Sequence, residues 1–128
     1  MHAEGVARSG APLARALSRG DVDAAAACFA RDGCLVSPDA TAVHGRERVR
    51  PLLAQLVARR TEIEVELSNV VGEGEVIVAN ERWRVRSGNG AGGRKIEQRL
   101  HPTLVLRRAE GEWRLAIAAP WGWGGGCR

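Results

Sequence analysis

Phe29-Ala-Arg-Asp-Gly-Cys-Leu-Val-Ser-Pro38 is the stretch of sequence that decides the fold. Its pattern predicts the end of a helix, a turn, and a short strand over residues 34–37 that stops at the proline. Apolar residues at helical spacing precede it over residues 22–30, and Gly20 separates this helix from an earlier one that carries Pro12 in its first turn. The stretch therefore joins a pair of helices to a sheet.

The rest of the chain continues with a helix and then changes to the two-residue period of strands. Val43 and His44 predict a second short strand, and residues 46–60 a third helix. Long strands are predicted at residues 62–67, 75–86, 95–108 and 113–119. This order indicates one α+β domain over residues 11–120, with a flexible N-terminus at 1–10 and a Trp- and Gly-rich tail at 121–128.

Composition excludes several classes of function. The 128 residues carry a net charge of +4, but cationic and acidic residues interleave and no aromatic–basic cluster occurs, so we expect no nucleic-acid partner. No apolar run approaches the length of a membrane span, so no membrane partner is expected. Three cysteines without a secretory signal favour a cytoplasmic protein with free thiols. His2, His44 and His101 lie far apart, so we expect neither a metal nor a cofactor.

This order of elements resembles the nuclear transport factor 2-like superfamily, which includes the ketosteroid isomerases and the SnoaL-like polyketide cyclases. The resemblance covers residues 11–122 and rests on order and spacing more than on a specific motif. It implies a cystatin-like α+β roll, in which a cone-shaped mixed or antiparallel sheet wraps around three N-terminal helices and leaves one apolar pocket. It also implies a homodimer through the outer sheet surface, where Val76 and Val78 would lie.

The positions that carry chemistry in the isomerases hold other residues here. The catalytic aspartate before the proline is replaced by Ser37, the oxyanion-hole acid by Thr103, and the tyrosine of the first helix by Leu13. A serine without an adjacent base is too weak an acid to shuttle protons, and leucine cannot donate a hydrogen bond. The sequence therefore argues against steroid isomerase activity while keeping the fold.

Other residues offer an alternative catalytic set. If Thr103 faces the pocket, strand alternation turns Arg99 and His101 inward as well, toward Glu81 and Trp83 on the preceding strand. Glu81 or His101 would then serve as a base, and Arg99 would bind an anionic or enolic oxygen. The competing interpretation is that Glu81 and Arg99 form a buried ion pair with a structural role only.

Further residues are candidates for ligand binding around the same pocket. Leu13, Ser37, Trp83 and Thr103 would line it, and Asp39 would lie at its mouth or simply form the turn after Pro38. Trp121 would cover the pocket, pack on a partner chain or belong to a disordered tail.

Three functions remain open from the sequence. The first is a module that binds a small apolar molecule without chemistry, which the missing acids favour. The second is an isomerase, cyclase or dehydratase that moves protons on a polyketide- or steroid-like substrate. The third is a dimeric interaction domain without a ligand.

Overall fold

The computed structural model describes residues 8–37, 39, 41–88 and 95–120. In this part of the chain, three helices pack on one side of a seven-stranded mixed sheet. The helices are α1 (Ala11–Ser18), α2 (Val22–Ala27) and α3 (Arg46–Ala58). The strands are β1 (Phe29–Val36), β2 (Ala42–His44), β3 (Glu62–Val71), β4 (Val76–Gly88), β5 (Lys95–Leu100), β6 (Thr103–Ala109) and β7 (Glu112–Ala119). This arrangement confirms the predicted α+β fold.

The sheet has the order β2-β1-β7-β6-β4-β3, with β5 paired to β4. Strands β1 and β7 are parallel and every other pair is antiparallel. No helix in the described ranges is long and apolar enough to span a bilayer.

Local sequence signals explain where α1 ends and where α2 begins, and α2 begins at Val22 as predicted. Asp21 caps α2, since its side chain accepts a hydrogen bond of 3.0 Å from the backbone N–H of Ala24. Gly20 ends α1 at a φ of +75°, which a side chain would disfavour.

The predicted end of the second helix is wrong. Helix α2 stops at Ala27, and Phe29 begins β1 by pairing with Leu115 of β7. Phe29 is fully buried, so its tertiary contacts override the helical spacing of residues 22–30.

The predicted long strand over residues 95–108 is two strands. Pro102 has no N–H to donate to a ladder, and the chain breaks at His101 and Pro102. Strand β4 spans the break, because residues 76–80 pair with β6 and residues 83–88 pair with β5.

The core lies between the helices and one face of the sheet. Strand β4 supplies Ile77, Ala79, Glu81, Trp83 and Val85 to this inner face, as its alternation predicts. Helix side chains such as Leu13, Leu17 and Leu53 pack against them. The opposite face is called the outer face below; its β4 residues are Val76, Val78, Asn80, Arg82, Arg84 and Arg86.

Candidate functional site

Glu81 is buried and its carboxylate is fully engaged in hydrogen bonds. Oε2 accepts from the backbone N–H of Gly10 at 2.9 Å and from the Ser68 hydroxyl at 2.7 Å. Oε1 accepts from the Trp83 indole N–H at 2.6 Å. Gly10 is the residue that precedes α1, so Glu81 fixes the start of this helix to the sheet. A buried carboxylate that accepts three hydrogen bonds on its two oxygens is a structural anchor.

Arg99 and His101 do not join Glu81. The Arg99 side chain is 56% exposed and pairs with Glu66 at 3.1 Å, opposite Arg84 in the β4–β5 ladder. His101 is exposed between β5 and β6. The predicted convergence of these side chains with Glu81 is therefore wrong, and their assignment as catalytic residues stays a prediction.

The error is one of register. Even-numbered positions of β5 and β6 face the helices: Leu104 and Leu106 are buried, and Leu100 packs against the core. Thr103 lies on the outer face, where its hydroxyl is 3.2 Å from the amide oxygen of Asn80. The prediction that Thr103 faces the pocket is wrong by one residue in register, and one residue exchanges the two faces of a strand.

Ser37 and Asp39 form a turn. The Ser37 hydroxyl donates to Asp39 Oδ1 at 2.6 Å, and Asp39 Oδ1 also accepts from the Thr41 N–H at 3.1 Å. The bond from Ser37, with that from Thr41, lowers the pKa of the Asp39 carboxyl below its ordinary value. These are the contacts of a turn-forming aspartate.

A cavity of about 100 Å³, called the interior cavity below, lies between the helices and the inner face. Leu13 and Trp83 line it and are almost completely buried in the core, and their assignment as ligand-binding residues stays a prediction. Its polar lining residues are Thr61, Ser87, Gln98 and Arg59. Of the described residues that line it, Arg59 is the only ionisable one. Trp121, the predicted lid, lies outside the described residues.

A second, larger concavity opens on another side of the molecule. It has a volume of about 890 Å³ and lies between the start of α1, the end of α2 and the β6–β7 hairpin. Trp113 lies in it, with the Arg8 guanidinium carbon 5.4 Å and that of Arg108 5.6 Å from the indole centroid. We call it the Trp113 cleft.

The Trp113 cleft could not be predicted from sequence spacing. Arg8 and Arg108 are 100 positions apart in the chain, and only the folded structure brings both to Trp113. Cys28 also lines the cleft, and burial raises the pKa of its thiol to about 11 even though Arg114 nearby opposes the shift. A thiol with this pKa is protonated near neutral pH and is a poor nucleophile.

Metal-ligating side chains do not cluster within the described ranges: no group of three or more His, Cys, Asp or Glu residues is placed to hold an ion.

Comparison with known families identifies the class. The family model for the SnoaL-like domain matches residues 12–116, and the chain belongs to that family. No protein with a curated function matches the chain.

Solved structures share the fold at low identity. A nuclear transport factor 2-like protein from Streptomyces avermitilis, named as a candidate dehydratase, is 20% identical with a TM-score of 0.76, over 91% of this chain and 92% of its own. A ketosteroid isomerase-like protein from Erwinia carotovora atroseptica is 18% identical with a TM-score of 0.74, over 91% and 90%. A nuclear transport factor 2-like protein with a cystatin-like fold from Novosphingobium aromaticivorans is 18% identical with a TM-score of 0.69, over 84% and 72%.

Proposed function

We propose that this chain is a binding module that holds a small apolar molecule in the interior cavity without transforming it. The observation that carries the proposal is the lining, in which leucine, isoleucine, valine and tryptophan side chains predominate and the exposed Arg59 is the only charged residue among the described ones. A proton-transfer enzyme needs a base within reach of its substrate. Glu81 is buried on the same face, but both of its carboxylate oxygens already accept hydrogen bonds from Gly10, Ser68 and Trp83.

Cavity size sets the size of the ligand. Drug-sized ligands occupy roughly 300–1,000 Å³, whereas an apolar cavity of about 150 Å³ accepts benzene. The interior cavity, at about 100 Å³, is smaller than that and fits a short branched chain such as isobutanol. A polar end on that compound would face Thr61 or Gln98.

A fill-in variant tests this proposal. Val85 lines the cavity from the inner face of β4, and Val76 lies on the outer face of the same strand. Isobutanol binding, measured by ligand-observed NMR, should be lost in Val85→Phe and kept in the matched control Val76→Phe. Equal binding by both variants, or no binding by the unchanged protein, would contradict the proposal.

An enzymatic alternative is suggested by the names of two structural relatives, a candidate dehydratase and a ketosteroid isomerase-like protein. Among the described residues, the interior cavity offers no carboxylate or imidazole for such a reaction. We therefore expect that the protein does not isomerise a β,γ-unsaturated cyclic ketone. The absorbance of the conjugated product measures this reaction.

We also propose a homodimer through the outer face. Val71 and Val76 are 62% and 52% exposed there, and Val78, Val105 and Ile117 extend the apolar surface. A second copy would cover this surface by two-fold symmetry. Val76→Lys should convert a dimer to a monomer in sedimentation velocity experiments, and a monomeric unchanged protein would refute the proposal.

The charges of the outer face favour a protein partner over a nucleic acid. Glu62, Glu64 and Glu66 of β3 pair with arginines of β4 and β5, so the positive charge is largely neutralised across the strands. A phosphate backbone requires unpaired cations, and this face offers few.

A further inference from the structure

The Trp113 cleft is separate from the interior cavity. Leu13 lines both and forms a wall between them, while Arg108, Trp113 and Cys28 line the cleft alone. At about 890 Å³, its volume falls in the range of small-molecule sites. Its occupant can therefore be larger than that of the interior cavity.

Two guanidinium groups in this cleft lack a counter-ion among the described residues. Arg8 and Arg108 each contact the indole of Trp113, and neither forms an ion pair with a described carboxylate. Arg114 differs, because its Nε lies 3.0 Å from Glu110 Oε1. Arginines that already bind a carboxylate have their charge satisfied, whereas Arg8 and Arg108 keep theirs available.

The same place also holds donors without acceptors. Trp113 Nε1 and Arg8 Nε are both excluded from solvent and have no hydrogen-bond partner within the described ranges. Buried polar atoms without partners are few in folded proteins, and an unseen ion or ligand is a standard explanation. Both atoms are donors, so the missing group is an acceptor.

Apolar surface completes the site. Pro12, Leu106 and Leu115 line the cleft beside the indole. Cationic groups stacked on an aromatic ring, next to apolar side chains, suit a ligand with a flat apolar body and an anionic end.

We propose that the Trp113 cleft binds an organic carboxylate whose flat apolar body packs beside Trp113 and whose carboxylate is held by Arg8 and Arg108. The raised pKa of Cys28 means that its thiol serves as an apolar wall and not as a nucleophile. This is a site for binding, without a covalent step.

Calorimetric titration of the full chain with 2-naphthoate tests the proposal, with neutral 2-naphthylmethanol as the matched ligand. Arg108→Ala should weaken 2-naphthoate binding about tenfold or more, because it removes a charge-assisted hydrogen bond. Arg48→Ala, an exposed arginine of α3, should leave binding unchanged. Binding should also weaken as salt is added.

A spectroscopic readout locates the ligand. The indole N–H resonance that disappears in Trp113→Phe should shift when 2-naphthoate binds, because a donor without an acceptor gains one. Val85→Phe, which fills the interior cavity, should leave 2-naphthoate binding intact, so failure of one site does not imply failure of the other. The proposal is overturned if 2-naphthylmethanol binds as well as 2-naphthoate, if Arg108→Ala binds like the unchanged protein, or if neither compound binds.

Discussion

Glu81 accepts a hydrogen bond of 2.9 Å from the backbone N–H of Gly10, across 71 positions of sequence. The same carboxylate binds Ser68 and Trp83. One buried side chain therefore joins the start of α1 to β3 and β4. Replacing a group of this kind lowers the stability of the fold, because its partners lose their acceptor in a place that water does not reach.

Glu81→Gln should lower the free energy of unfolding by about 2 kcal/mol, since the amide nitrogen brings a donor to face donors. Urea denaturation measures the change. Glu73→Gln in the exposed β3–β4 turn is the control and should have little effect. Equal stability of the two variants would show that the carboxylate is not an anchor.

Gly10→Ala should destabilise the protein by about 1–3 kcal/mol, because the new methyl group overpacks the core. An added Cβ would lie 2.5 Å from Glu81 Oε1 and 2.8 Å from Leu104 Cδ1. Gly88→Ala is the matched control, since its nearest neighbour would be Arg59 O at 3.5 Å, an ordinary contact. The melting temperatures of both variants measure the effect. A Gly10→Ala protein that melts like the unchanged one would rule out the tight packing around Gly10.

Cys28 should make the protein less stable at high pH. Its pKa rises from 9.0 in the unfolded chain to about 11 in the folded protein, chiefly through burial. The folded state therefore keeps a proton that the unfolded state loses, and stability falls as pH rises from 9 to about 11. The loss from this group is about 3 kcal/mol.

Cys28→Ala should show a smaller decline over that pH range in denaturation curves, compared with the unchanged protein. Peptide-level alkylation gives a second measurement, because Cys28 should react slowly with iodoacetamide near neutral pH and faster as the pH approaches its pKa. Rapid alkylation of folded protein at neutral pH would contradict the raised pKa.

Neighbouring residues of β5 should respond in opposite ways to truncation. Leu100→Ala should cost about 1–3 kcal/mol and weaken isobutanol binding, because Leu100 packs against the core and lines the interior cavity. Arg99→Ala should change stability by less than about 1 kcal/mol, since it removes an exposed ion pair with Glu66. The reverse pattern in isobutanol titrations and urea denaturation would restore the register expected from the sequence.

Much of the fold could be predicted because its signals are local. Asp21 caps α2, Gly20 ends α1, and the alternation of β4 gives the buried face without knowledge of its neighbours. Predictions failed where a contact between distant segments determines the local structure. Phe29 belongs to β1 and not to the helix because it pairs with Leu115, and no property of residues 22–30 reveals that partner.

The candidate site was harder to predict than the fold, since it depends on parity and on long-range proximity. An error of one residue in the register of β5 and β6 was enough to place Arg99 and Thr103 on the wrong face. The Trp113 cleft was missed altogether, because Arg8, Trp113 and Arg108 meet only after the hairpin folds against α1.

Period, capping and glycine placement are properties of short segments, so the sequence by itself determined the order of helices and strands and the family to which the chain belongs. Which side chains face a common space is a property of the assembled sheet. The tertiary structure alone decided that Glu81 anchors Gly10, that Arg99 faces outward, and that Arg8 and Arg108 meet at Trp113. The physical reason is that burial and pairing with distant residues fix the side-chain environment, and these interactions exist only in the folded chain.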